Sequence, residues 1–260
     1  MPGTAFDIHG PEGAPAVVLI HGLGLTRALW DLTLPALVTH YRVVTYDILG
    51  HGQTPSPAAP TLTLLSRQLA DLLDHLNLTR VAVVGFSLGG IIARHFAQDH
   101  RSRTTALAVL HSPHKRTPQA QTAIRARVEQ ARTHGPAATV EDALARWFTD
   151  DFRAANPAMM ALVRSWVMGN NPATYSDYYR IFAEGVTQVI TPQPPLTLPT
   201  LVVTADQDHG NGPAMTHAIA AEIPGAQTLI LPGLRHMALM QAPAAINTPQ
   251  RAFLDALPPT

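Results

Sequence analysis

Cysteine is missing from all 260 residues, which excludes disulfides and thiol chemistry and leaves the fold without covalent staples. Net charge is missing too. The 18 basic residues balance the 18 acidic ones, so no field favours nucleic acid or an anionic membrane. Charged residues are scarce at 14% against 46% hydrophobic, the balance of a compact globular enzyme and not of a disordered chain. No apolar run approaches the ~20 residues that a membrane span requires. The stretch 1–13 has neither the basic start nor the apolar segment of a secretion signal. The expectation is a soluble, cytoplasmic protein acting on a small molecule, with no nucleic-acid or membrane partner. Oligomeric state is left open.

Histidine is plentiful at 13 residues, but the histidines are scattered. The close pair, His111 and His114, brackets Ser112-Pro113, and the proline spoils a helical ligand spacing. No metal and no cofactor is expected.

The informative motif is Gly85-Phe86-Ser87-Leu88-Gly89, which follows the apolar run Val81–Val84 and leads into a helical pattern up to Gln98. G-x-S-x-G between strand and helix holds a serine on a sharp, strained turn, with its hydroxyl projecting from the sheet edge. Small residues on either side let strand and helix approach closely. Ser87 is therefore read as a nucleophile.

Apolar runs of strand length alternate with helical periodicity, the pattern of a mostly parallel sheet covered on both faces. Strands are expected at 16–20, 41–46, 81–84, 105–110, 200–204 and 227–231. A short helix is expected over 30–38, another over 64–76 with a stripe of leucines, and a last one over 238–257 with a boundary near Pro243. Between strands 105–110 and 200–204 only helical segments appear, broken at Gly135-Pro136, Asn156-Pro157 and Asn171-Pro172. About eighty residues is far longer than an ordinary loop, so this stretch reads as an inserted lid. The division is a core domain of 1–113 and 197–260 with a helical cap of 114–196.

A serine hydroxyl needs a base to take its proton, and the base needs a third group to orient it. His236 lies in the loop just past strand 227–231, and Asp208 lies just past strand 200–204. Loops at the C-terminal ends of parallel strands are where catalytic groups collect in open α/β sheets. Asp206, nearer the strand end, is the runner-up for the acid.

These landmarks together resemble the α/β-hydrolase superfamily over nearly the whole chain. Val18–Gly24 is similar to its H-G-x-G oxyanion loop, Asp47–Thr54 to its D-x-x-G-x-G-x-S/T turn, and Val84–Gly90 to its nucleophile elbow. The family usually has glycine where Ala205 stands, with the acid three residues later, which again selects Asp208. The resemblance implies the N–H groups of Leu23 and Leu88 as an oxyanion hole. His21, His51 and Asp47 are given structural roles in their turns. An aspartate at the elbow would mark haloalkane dehalogenases and soluble epoxide hydrolases, so Ser87 argues against both.

The expected activity is cleavage of carboxylic esters or lactones through an acyl-enzyme, weakening as low pH protonates the base. Carbon–carbon hydrolases of the meta-cleavage type, cofactor-free haloperoxidases or perhydrolases, and a ligand receptor on the same fold stay open. A prolyl aminopeptidase would need lid carboxylates over the site, from among Glu141, Asp142, Asp150 and Asp151. Trp166, Met168, Tyr178, Tyr179 and Phe182, with His114, are the expected pocket residues, an adaptable apolar surface. Arg164 and Arg180 are candidate anchors for a substrate carboxylate. The second half of the chain, Ala205–Asp208 with Pro232–Met237, resembles 3-oxoadipate enol-lactonase-like hydrolases.

Overall fold

The computed structural model describes residues 3–258. Its core chain runs β1 (Phe6–His9), β2 (Ala16–Ile20), α1 (Leu34–Leu37), β3 (Arg42–Tyr46), α2 (Leu62–His75), β4 (Val81–Phe86), α3 (Leu88–Asp99) and β5 (Thr104–Leu110). Five helices follow without a strand: α4 (Pro118–His134), α5 (Val140–Trp147), α6 (Asp150–Ala155), α7 (Pro157–Met168) and α8 (Tyr175–Glu184). The core resumes with β6 (Thr200–Ala205), α9 (Pro213–Ala221), β7 (Gln227–Leu231), α10 (Ala238–Gln241) and α11 (Pro243–Asp255).

The strands form one sheet in the order β1-β3-β2-β4-β5-β6-β7, parallel except for β1, which runs antiparallel to β3. All six residues of β4 are buried, as expected of a central strand covered on both faces. Helix α2 forms because Leu62, Leu65, Leu69, Leu72 and Leu73 fall on one stripe, and Thr61 caps it by accepting from the Leu64 N–H at 3.2 Å. Burying each leucine is worth roughly 2 kcal/mol.

Two local expectations are corrected. The single helix expected over 30–38 is a 3₁₀ turn, Arg27–Leu32, followed by the short α1. Pro35 lacks an amide donor, so it is accommodated in the first turn of a new helix and not inside a continuous one. Strand β1 was not anticipated, because four half-exposed residues at a sheet edge carry no apolar signature.

Chain reversals put one loop after another at the same rim of the sheet. His21–Leu23 follows β2, Ser87 follows β4, His111 follows β5, Asp208 follows β6 and His236 follows β7. The cap α4–α8 lies above this rim and is pinned to it. Asn170 Nδ2 donates to the Gly24 carbonyl at 3.0 Å, and the Tyr178 hydroxyl bonds to Ser56 at 2.7 Å. Gly50, with φ of +73°, seats the Tyr178 ring, since a Cβ there would lie 2.2 Å from it. No helix among the described residues is long and apolar enough to cross a membrane.

Candidate active site

Ser87 sits at φ 56° and ψ −113°, a strained conformation for a residue with a side chain. The surroundings impose it. The Ser87 N–H donates to the Leu110 carbonyl at 2.8 Å, and the Ser112 hydroxyl donates to the Ser87 carbonyl at 2.9 Å. A Cβ on Gly89 would lie 2.2 Å from the Ile20 carbonyl oxygen, and one on Gly85 2.2 Å from the Gly89 carbonyl oxygen. The turn therefore closes only with glycine at both places.

Asp208 is buried, and its carboxylate accepts every hydrogen bond it makes. Its Oδ1 takes the N–H groups of Gly210 and Asn211 at 3.1 and 3.0 Å. Its Oδ2 takes His236 Nδ1–H at 2.7 Å and His111 Nδ1–H at 2.9 Å. Burial alone would raise this carboxyl, but the two imidazoles outweigh it and hold it well below the usual carboxylate range. A carboxylate only accepts, so it fixes the Nδ1–H tautomer of a neutral His236 and leaves Nε2 as an acceptor. Asp206 is exposed and, among the described residues, its carboxylate accepts only from the Gly233 N–H, at 2.8 Å. His111, Asp208 and His236 have ligand atoms within 4.8 Å of one another, yet their contacts are those of hydrogen bonds through Nδ1 protons. His111 does not pair with His114, which reaches Glu222 at 2.9 Å.

His21 connects two turns. Its Nδ1–H donates to the Gly22 carbonyl at 2.8 Å and its Nε2 accepts from the Ile48 N–H at 3.0 Å. Burial pushes its pKa down to about 4, and burial with the neighbouring His21 pushes His51 down to about 3. His51 braces its turn through the Leu49 carbonyl at 3.0 Å. Asp47 accepts the N–H groups of Arg27 and Gln53 and pairs with the Arg27 guanidinium. Among the described residues nothing accepts the N–H of Leu23 or of Leu88, the latter the first residue of α3.

A cavity of about 320 Å³ joins these groups. Gly22, Leu23, Phe86, Ser87, Asp208 and His236 form its floor. Its cap side comes from three helical faces: Ala120, Ala123, Ile124 and Arg127 on α4, Ala143, Arg146 and Trp147 on α5, and Tyr175, Tyr179 and Phe182 on α8. The Trp147 and His236 rings lie 6.1 Å apart, and the His236 loop is tied to α5 by the Met237 N–H to the Trp147 carbonyl at 2.9 Å.

Of the expected pocket residues, Tyr179 and Phe182 line this cavity, and Trp166, Met168, Tyr178 and His114 do not. Trp166 lines a separate depression beside Arg27 and Asp47, and Met168 is 46% exposed. Tyr178 points instead at Ser56 and His51, one residue and 100° of helix away from Tyr179. Of the expected anchors, half-buried Arg164 pairs with Glu141 and exposed Arg180 pairs with Asp177. The four candidate lid acids are exposed and absent from the lining. What the sequence reading missed was Arg116, Arg127, Arg146 and Trp147 in the lining and His111 on Asp208. The i, i+3, i+4, i+7 spacing of 120, 123, 124 and 127 was the available signal.

A family model described as the alpha/beta hydrolase fold matches residues 15–243. The chain belongs to the α/β-hydrolase family. The hydrolase is 29% identical to the (E)-2-((N-methylformamido)methylene)succinate hydrolase of Acinetobacter baylyi, over 98% of this chain and 95% of that one. It is 30% identical to 3-oxoadipate enol-lactonase 1 of the same organism, over 78% and 74%. The enol-lactonase from Burkholderia xenovorans superposes with a TM-score of 0.88 at 26% identity, over 97% of this hydrolase and 96% of that enzyme. The expected architecture, a mostly parallel sheet with helices on both faces and an inserted helical cap, is the observed one. The hydrolase is an enzyme related to the enol-lactonase and esterase types.

Proposed function

We propose that the protein hydrolyses carboxylic esters or lactones through an acyl-enzyme on Ser87, with His236 as base and Asp208 as its orienting acid. The observation that carries the reading is the 2.7 Å bond from His236 Nδ1 to Asp208 Oδ2. It leaves Nε2 proton-free on a cavity wall shared with a serine at φ 56°. In this reading the Ser87 oxygen attacks the carbonyl carbon as its proton passes to His236 Nε2. The tetrahedral oxyanion takes hydrogen bonds from the Leu23 and Leu88 N–H groups, and each such donor is worth roughly 10²–10³ in turnover. His236 then protonates the departing alkoxide or enolate, leaving the acyl group on Ser87. Water repeats the sequence, giving its proton to His236 and its oxygen to the acid product. The relatives named as a 3-oxoadipate enol-lactonase and as a hydrolase of an (N-methylformamido)methylene succinate support a small hydrolysable substrate of this class.

Short-chain p-nitrophenyl esters and a fluorophosphonate probe test this. Turnover is expected, with labelling confined to Ser87, and Ser87→Ala lowers kcat by about 10⁴-fold or more. Absence of both turnover and labelling in the folded protein overturns the reading.

A further inference from the structure

The cap carries two populations of arginine. Arg125, Arg132, Arg153, Arg164 and Arg180, on its outer surface, each pair with an acid. Arg116, Arg127 and Arg146 line the cavity, and among the described residues none of them forms a salt bridge. Among the described residues the one carboxylate in the lining, Asp208, has both oxygens committed to His236, His111 and two backbone N–H groups.

The three are not equivalent. Arg116 donates to the Ala183 and Phe182 carbonyls at 3.0 and 3.3 Å and lies over the Phe182 ring at 5.0 Å, so it is part of the frame. Arg127 and Arg146 make no hydrogen bond among the described residues, and Arg127 Nε is buried without a partner. They come from different helices, α4 and α5, and repel each other. Burial and Arg127 push Arg146 down, and Asp142, exposed one turn back on α5, only partly offsets them. A half-buried pair of guanidiniums with free forks is costly unless an anion joins it, and a planar carboxylate matches each fork. Arg127 and Arg146 line the same cavity of about 320 Å³ as Ser87 and His236, so a small anion held by them shares that space with the reacting atoms.

We propose that Arg127 and Arg146 clamp a free carboxylate of the substrate. The substrate is then a small ester or lactone bearing a carboxylate a few bonds from the scissile carbonyl. This rests on the ester-hydrolase reading above and narrows it to anionic substrates.

The test compares p-nitrophenyl hydrogen glutarate with neutral p-nitrophenyl butyrate, and 4-acetoxybenzoate with phenyl acetate, at low ionic strength. The first pair puts the carboxylate on the acyl side and the second on the leaving group. One of the anionic esters is expected to exceed its neutral counterpart in kcat/KM by about 10- to 100-fold. Arg127→Gln and Arg146→Gln bring that ratio towards one, mainly through KM, whereas Arg164→Gln on the outer surface leaves it unchanged. Free glutarate inhibits the wild type competitively, and Arg127→Lys, the milder change, weakens that inhibition if the glutamine variants fail to fold. Ser87-dependent turnover with no charge preference in either pair overturns the clamp alone. Absence of turnover and of fluorophosphonate labelling overturns the hydrolase reading beneath it.

Discussion

The sheet rim and the underside of the cap face each other across one cavity, and they hold their side chains by different means. On the rim the backbone does the positioning. Ser87 and His111 are both at positive φ, 56° and 48°, and Asp208 is fixed by four donors. On the cap, helix phase does it, and a residue faces the cavity or turns away according to its place on the 3.6-residue repeat. At the elbow the geometry admits only glycine at Gly85 and Gly89, whereas a cap face accepts any residue that fits. In the proposed reading, chemistry belongs to the rim and selectivity to the cap.

The sharpest way to break that comparison is on the rim itself. Asp208→Asn keeps the shape but offers an amide where His236 needs an acceptor, so kcat is expected to fall about 10³- to 10⁴-fold. Asp206→Asn, two residues away, alters an exposed oxygen that accepts one N–H, and activity should stay within about threefold. Steady-state rates on one neutral ester decide it. Equal losses would mean the loop, and not the His236–Asp208 bond, carries the effect.

Acid acts next, and on the rim before the cap. His21 and His51 are buried neutral, with pKa values near 4 and 3 against the ordinary 6.5. Below about pH 6.5 the unfolded chain takes up protons that the folded one refuses, so stability is full above that pH and drains as pH falls. Two such groups lose of the order of 3–5 kcal/mol between pH 6.5 and 4.5. Asp208, held low in the fold, adds loss of the same sign at still lower pH. Protonating His21 also removes the acceptor for the Ile48 N–H and frees the oxyanion loop. Urea midpoints across this range should fall steeply, and His51→Asn should show a shallower slope. A flat profile would remove these histidines from the account.

How much could be read beforehand follows the same division. The elbow turn and the positions of Ser87, Asp208 and His236 just past β4, β6 and β7 were legible, because a strained turn admits few residue types and leaves a pattern in the letters. Cap residues were legible only as an inventory. Tyr178 and Tyr179 look alike in sequence, but one seats the cap on Ser56 and the other lines the cavity. Arg164 and Arg127 look alike too, and only the position of Glu141 on a neighbouring helix shows that Arg164 is already paired. Such facts arise from packing between segments far apart in the chain, and no local pattern encodes them. His111 was hidden for another reason. Its role is set by where β5 ends relative to β6, a register that the sequence does not print.

His111 offers the finest test, because it is a rim residue with no part in the proposed proton path. It gives its Nδ1 proton to the same Asp208 oxygen that His236 uses, and its Nε2 is buried without a partner. Two donors on one oxygen hold the carboxylate in a fixed orientation, and burial keeps His111 neutral by lowering its pKa. Removing the donor leaves Asp208 Oδ2 held by His236 alone among the two imidazoles and loosens its orientation. His111→Phe, which keeps the ring volume against Phe86, should therefore lower kcat by about tenfold with KM little changed, worth about 1.4 kcal/mol. His111→Asn restores a donor to that oxygen and should recover much of the loss despite packing less well. If Phe were instead the better replacement, His111 would be filling space, and the rim would owe nothing to its second imidazole.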